Sequence, residues 1–193
     1  MRHQEDFGDM RDAAKEQERR GDWIQTRTGK FWPLDPRAED VRIDDIAFAL
    51  SNLCRFGGHV PFYSVAQHSV LVAGVLIDSA RSHLDPRIGL LHDAAEAYLV
   101  DVPRPIKRQL SIYLEAEDLV LQAIGERFNL VLTPMAPPVK AADDRMLAIE
   151  KRDLLEPMRW EMSLPDVSMY ARVVPWAPDV ARAEFMRAWE AWS

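Results

Sequence analysis

Two histidines and a few carboxylates in this chain have the types and spacings that metal-assisted hydrolysis needs. His92 and Asp93 are adjacent, and Glu96 follows four residues after the imidazole and three after the carboxylate. On a helix, residues at those spacings project from one side. A His–Asp pair suits divalent metal ligation, because one turn supplies two ligand atoms and the backbone between them fixes their angle. Glu96 then stands beside the ion, placed for acid–base work. The run from Leu90 to Leu99 carries Leu91, Ala94, Ala95, Tyr98 and Leu99 with no proline or glycine, so it reads as a mostly buried helix. Three ionisable residues within five positions of a buried helix need partners. The dipeptide alone is more simply a charge pair beside a hydrogen-bonded core histidine. What changes the balance is His68 and the Asp143–Asp144 pair, which the apolar pattern places on two further helices. Two imidazoles and two carboxylates make a pocket for one divalent ion with positions left open for water and substrate. Such a mixed nitrogen–oxygen set accepts Mn²⁺, Co²⁺, Zn²⁺, Mg²⁺ or Fe²⁺ without choosing sharply.

The elements that must position these residues follow from periodicity. Ile43, Ile46, Ala47, Leu50, Leu53 and Cys54 predict a helix capped by Asp40 or by Asp44–Asp45. The loop RFGGHVPFYS follows, and Ser64 is placed to cap a helix from Val65 to about Ala80 with His68 on its apolar side. The metal helix runs from about Pro86 to Val100, with proline in its first turn. Pro103 and Pro105 force an extended turn. A helix from about Lys107 to Phe128 carries the stripe Leu110, Leu114, Leu121, Ile124 and Phe128. Within 139–160 a further helix puts Asp143, Leu147, Glu150 and Leu154 on one face, and a last one spans Pro178 to about Trp192. Ahead of these, 1–22 is a polar lead-in, and the alternation at Trp23, Gln25 and Arg27 before Phe31 and Trp32 gives a small hairpin or an irregular arm. The expected fold is all-α, one bundle over 23–193 with that small β element at its N-terminal end.

Composition excludes several classes. With 193 residues, 48% apolar and 28% charged, the chain suits one globular domain. The net charge of −7 argues against a partner as anionic as polymeric nucleic acid. No apolar run approaches the ~18 residues of a membrane span, and no secretory signal is visible, so the expected location is cytoplasmic. The single cysteine, Cys54, fits a reducing compartment and reads as a buried structural thiol.

With these residues in view, the chain resembles the HD-domain metal-dependent phosphohydrolases, and more narrowly the compact branch holding bacterial 5′-deoxynucleotidases and phage dATP triphosphohydrolases. The match is carried by YSVAQH (Tyr63–His68), HDAAEA from His92, Asp101 with Pro103, Pro105 and Lys107, VKAAD ending at Asp143, and the loop CRFGGH (Cys54–His59). It covers roughly residues 25–160. The resemblance implies that His68, His92, Asp93 and Asp143 are the metal ligands, favouring Asp143 over Asp144. It implies that Glu96 positions or deprotonates the attacking water. It places Arg55 on phosphate, Phe56 under the base, Asp101 near the 2′-deoxy sugar, and Pro105 and Lys107 along the base and phosphate sites. Gly57 and Gly58 leave the pocket open where a bulky side chain would select one base. Arg55 suits its role physically, since a guanidinium grips phosphate at two points.

The implied activity is hydrolysis of 2′-deoxyribonucleoside 5′-phosphates, as a dNMP 5′-nucleotidase or as a dNTP triphosphohydrolase. Both cut the same 5′ oxygen–phosphorus linkage, and Arg104, Lys107 and Arg108 could serve the longer phosphate chain. A non-catalytic nucleotide sensor on the same scaffold, and a cyclic-nucleotide or alarmone hydrolase, are the competing readings. Trp176, Trp189 and Trp192, taken as helix faces left over after the core forms, imply a homo-oligomer, a dimer or a trimer of dimers. His59 is expected to brace its loop, His3 and His83 to be exposed, and Glu150, Arg152 and Asp153 to form structural ion pairs.

Overall fold

The computed structural model describes residues 20–78 and 83–193. Most of the polar lead-in, His3 and the end of the second expected helix lie outside the described residues. Among the described residues the chain forms a small antiparallel hairpin and eight helices: β1 (Ile24–Gln25), β2 (Lys30–Phe31), α1 (Ile43–Asn52), α2 (Val65–Asp78), α3 (Pro86–Leu90), α4 (Glu96–Leu99), α5 (Arg104–Lys107), α6 (Ser111–Phe128), α7 (Pro137–Leu154) and α8 (Pro178–Trp192). The all-α class with a small hairpin is therefore what the chain adopts.

The hairpin pairs Ile24 with Phe31 and Gln25 with Lys30. Its turn is closed by Thr26 N–H on the Gly29 carbonyl at 2.9 Å. Asp45 of α1 pins it, accepting from the Thr26 hydroxyl (2.9 Å), the Thr28 amide (3.0 Å) and the Thr28 hydroxyl (2.7 Å). Asp45 is therefore used sideways rather than as a helix cap; the cap position is Arg42, and no side chain caps it. Phe31, fully buried, stacks on Tyr98 with ring centroids 3.7 Å apart. The arm is thereby fastened to the segment that carries His92.

Helix α2 lies against α1, α3, α7 and α8, and it begins as expected, with the Gln67 amide donating to the Ser64 hydroxyl at 3.1 Å. Val72 and Leu76 face α7, where Val139, Ala142, Met146 and Ile149 complete one apolar cluster; Ala66 and Ala73 face a second cluster built on α1, α4, α6 and α8. Gly89 lets α3 approach this closely, because a Cβ there would lie 3.1 Å from the Ala73 Cα. Such an approach is what glycine permits and any other residue obstructs.

The expected helix over 86–100 is broken. Asp85 caps α3, accepting from the Arg87 amide at 2.9 Å, with Pro86 in the first turn. After Leu90 the chain tightens: Ala94, Glu96, Ala97 and Tyr98 bond three residues back, to Leu91, Asp93, Ala94 and Ala95. The cause is local. The Gly89 carbonyl, which a continuous helix would give to the Asp93 amide, accepts instead from Nδ1 of His92 at 2.7 Å.

The expected helix from Lys107 likewise splits into α5 and α6, and Leu110 and Leu114 of its stripe are exposed, while Leu121 and Ile124 are buried. Helix α7 has the expected 18 residues, and α8 the expected bounds. The tryptophans assigned to an oligomer face are instead packed on the core, Trp189 edge-on to Phe128 at 4.6 Å. In this packing all three remain only partly buried. No described helix is long and apolar enough to cross a membrane.

Candidate metal centre

Three elements deliver the candidate ligands. His68 comes from the first turn of α2, His92 and Asp93 from the tight turn between α3 and α4, and Asp143 from the second turn of α7. His68, His92 and Asp143 are buried and offer atoms that all lie within 4.8 Å of one another, a group that could hold a metal ion. Around Nε2 of His68 stand Nε2 of His92 at 3.3 Å, Oδ1 of Asp143 at 3.4 Å and Oδ2 of Asp93 at 3.6 Å; the His92 nitrogen is 3.2 Å from the same Asp93 oxygen. A coordination polyhedron with bonds of ~2.1 Å has edges of about 3–3.5 Å, so this spacing matches what one ion would require. Asp93 is the most exposed of the four candidate ligands, its side chain 20% exposed.

The donor chemistry also fits. Nδ1 of His68 meets Oε1 of Glu150 at 2.5 Å, and Nδ1 of His92 meets the Gly89 carbonyl at 2.7 Å. Both acceptors place the ring hydrogen on Nδ1, which turns two Nε2 lone pairs toward each other. A metal ion between them reconciles the two lone pairs, as does a proton on Nε2 of His68 in its absence, and hydrogen bonding of the far ring nitrogen is the usual support of a ligating histidine. Burial and Arg55 push the His68 imidazolium toward losing its proton, but Glu150 and Asp143 outweigh them and lift its pKa to about 9. Burial favours the neutral forms of Asp93 and Asp143, yet the imidazoles hold both well below the usual carboxylate range.

Behind the ligands lies a buried layer. Glu150 is fully buried and also accepts from the Tyr63 hydroxyl at 2.9 Å and from Nη2 of Arg55 at 3.2 Å. Nη1 of Arg55 reaches Oδ2 of Asp93 at 3.4 Å, while its Nε is buried without a partner. Arg55 is held there by a backbone bridge, its amide on the Tyr63 carbonyl at 2.9 Å and the Val65 amide on the Leu53 carbonyl at 3.0 Å. Cys54, a half-buried free thiol, lies inside that bridge.

In front lies the lip. Glu96 is buried, and its Oε2 has no hydrogen-bond partner among the described residues. Burial, then Asp93 and Asp101, raise its pKa well above the ordinary range, against Arg55 and Lys107. Asp101 is half-buried and raised for the same first reason. Lys107 is paired with Glu117 and lies 5.5 Å from the Tyr113 ring centroid. Two cations overhang Asp143: Nζ of Lys140 at 3.6 Å and Arg104 at 3.8 Å from its outer oxygen, both nearly half exposed. Asp144, the alternative ligand, pairs with Lys140.

The remaining expected contacts are more peripheral. Phe56 is half-buried with a left-handed backbone (φ 57°), and its ring lies 5.5 Å from the Arg55 guanidinium. Gly58 (φ 80°) faces open space, Pro105 is exposed in α5, and His59 and His83 are exposed. Two participants escaped the sequence reading. Glu150 was expected only in structural ion pairs, although it falls seven residues after Asp143 and hence on the same helix face. Lys140 was seen only as motif text.

Comparison with known proteins gives relatives that add no activity. The chain is 40% identical over 170 residues to the uncharacterized protein YfdR of Escherichia coli (strain K12), an alignment spanning 85% of this chain and 92% of that protein. It is 34% identical over 135 residues to an uncharacterized protein of Rhodobacter capsulatus, spanning 63% of this chain and 66% of the other. No family model matches the chain.

Proposed function

We propose that this chain, which belongs to the family of the uncharacterized protein YfdR, is a metal-dependent phosphohydrolase of HD type acting on 2′-deoxyribonucleoside 5′-phosphates. The observation that carries the reading is the convergence of two imidazole nitrogens and two carboxylates beside a buried, unpartnered Glu96 oxygen. A divalent ion bound by His68, His92, Asp93 and Asp143 would acidify a water and draw charge from the phosphoryl oxygens. Mn²⁺, Co²⁺, Zn²⁺, Mg²⁺ and Fe²⁺ all suit the donor set.

The chain's own groups divide the remaining work. Glu96, adjoining Asp93 in the same turn, accepts the proton of the attacking water through its free oxygen. Arg104 and Lys140, hanging over Asp143, face the side from which a phosphate would enter and neutralise it. Lys107 and Asp101 form the adjoining wall, where the sugar would lie, and Phe56 offers an aromatic surface for the base. Arg55 holds Asp93 against Glu150 with two of its five N–H groups and keeps donors for the phosphate that the resemblance assigns to it.

The test is metal content followed by product analysis. Purified protein is assayed with dATP and dAMP, and with the other deoxynucleotides, in Mn²⁺, Co²⁺, Mg²⁺ or Zn²⁺. Release of triphosphate identifies a triphosphohydrolase, release of phosphate a 5′-nucleotidase. No turnover of any nucleotide with any of these ions overturns the proposal.

A further inference from the structure

We infer that Glu150 is a positioning residue: from behind the ligand shell it fixes which nitrogen of His68 faces the ion and holds Arg55 against Asp93. The inference rests on the metal-centre reading above and extends it to a residue that could not itself reach the ion, because His68 stands between them.

The geometry is that of a hub. One fully buried carboxylate takes three donors: the His68 ring at 2.5 Å, the Tyr63 hydroxyl at 2.9 Å and the Arg55 guanidinium at 3.2 Å. A carboxylate with an arginine on one oxygen is ionised, and an ionised carboxylate only accepts hydrogen bonds. The ring nitrogen facing it must therefore carry the hydrogen, which leaves Nε2 as the atom turned to the ion. His92 obtains the same orientation from a neutral carbonyl. The two imidazoles thus differ: His68 is backed by a full negative charge, which makes it the stronger donor. The second oxygen acts through Arg55, whose other arm reaches Asp93. Glu150 therefore acts on two of the four candidate ligands, on His68 directly and on Asp93 through the Arg55 guanidinium.

A buried charge used only for packing would be a poor choice, since an apolar residue of the same volume commonly serves as well. The test separates the two roles with Co²⁺ as the probe. Glu150→Gln keeps the shape and removes the charge. It is expected to keep a cooperative thermal transition while Co²⁺ affinity for the proton-free site, obtained by titration calorimetry across pH so that proton competition at His68 is separated, falls about 10–100-fold. In the Zn²⁺-loaded protein, the His68 Nδ1–H proton resonance, far downfield and protected from exchange in the parent, should move upfield or vanish. Tyr63→Phe removes one donor and should lower Co²⁺ affinity by about two- to tenfold in the same direction. Co²⁺ affinity within twofold of the parent, with only a lower melting temperature, overturns the inference and leaves the metal centre standing. Should Glu150→Gln not fold, unchanged Co²⁺ affinity in Tyr63→Phe overturns it. A parent chain that binds neither Co²⁺ nor Zn²⁺ overturns the metal-centre reading, and this inference with it.

Discussion

The back wall and the front lip of the candidate site are built on opposite plans. Behind the candidate ligands, His68, Glu150 and Tyr63 are buried and Arg55 partly so, all bound to one another, and within this group only Arg55 Nε lacks a partner. In front, Glu96 has a free buried oxygen, Asp101 is pushed toward its neutral form, Arg104 lies 3.8 Å from Asp143, and Lys140, paired with Asp144, lies 3.6 Å from the same carboxylate. Satisfied buried polar networks are rigid and hold a geometry; unsatisfied ones retain capacity to bind. On the reading proposed above, the wall would steady the ligands of a cation and the lip would stay available to a reactant.

The sharpest way to break that contrast is to remove a candidate ligand and, separately, the free carboxylate of the lip. Asp93→Ala and Asp143→Ala are each expected to purify without stoichiometric metal by elemental analysis. Asp143→Ala also strands Arg104 and Lys140 opposite a missing charge. The lip should behave differently. Glu96→Gln is expected to retain metal at parent stoichiometry and to lose turnover by ~10²–10⁴-fold, the usual share of one general base. Equal metal loss in Glu96→Gln and Asp93→Ala would erase the division between wall and lip.

Much of this arrangement was readable before any coordinates. Periodicity placed α1, α2, α7 and α8 within a few residues, because each buries an apolar stripe around one neighbour set. His68 on the apolar side of α2 and Asp143 on the inner face of α7 followed from the same pattern. The break at His92 did not, because it is caused by a side chain taking a backbone acceptor, the Gly89 carbonyl, and periodicity counts only apolar positions. Leu110 and Leu114 misled for a related reason: they keep helical spacing, but the chain breaks at 108–110 and leaves both exposed. Glu150 was legible in part. Its spacing from Asp143 put it on the inner face, and an inner-face glutamate needs a donor; that the donor is a ligating histidine required the third dimension.

A smaller effect tests how the two imidazoles are brought together. Gly89→Ala places a methyl group 3.1 Å from the Ala73 Cα, where backbone rather than a pliant side chain must yield. Helix α3 should move off α2, carrying His92 away from His68. The expected loss is about 1–3 kcal/mol of stability by denaturant titration, as for other overpacked contacts, with weaker metal binding. Loss of stability with unchanged metal affinity would mean that the ligand turn adjusts independently of α3.

The pH dependence discriminates most finely, because one group acts with opposite signs on two observables. His68 without metal has its pKa lifted to about 9 from an ordinary 6.5. A metal ion must displace that proton from Nε2, so apparent affinity should climb by about tenfold per pH unit as pH rises from 6.5 toward 9, then level. Stability of the metal-free chain should run the other way. A raised folded-state pKa adds stability that is fully present below 6.5 and is lost as pH rises through about 9. Over that window, melting of the metal-free protein should therefore drop while calorimetric metal affinity rises. Replacing His68 with Gln should remove the opposition from the stability curve, whereas Glu96→Gln should leave it intact. A slope that survives loss of His68 would assign the proton to another group and move the origin of the effect from the back wall to the lip.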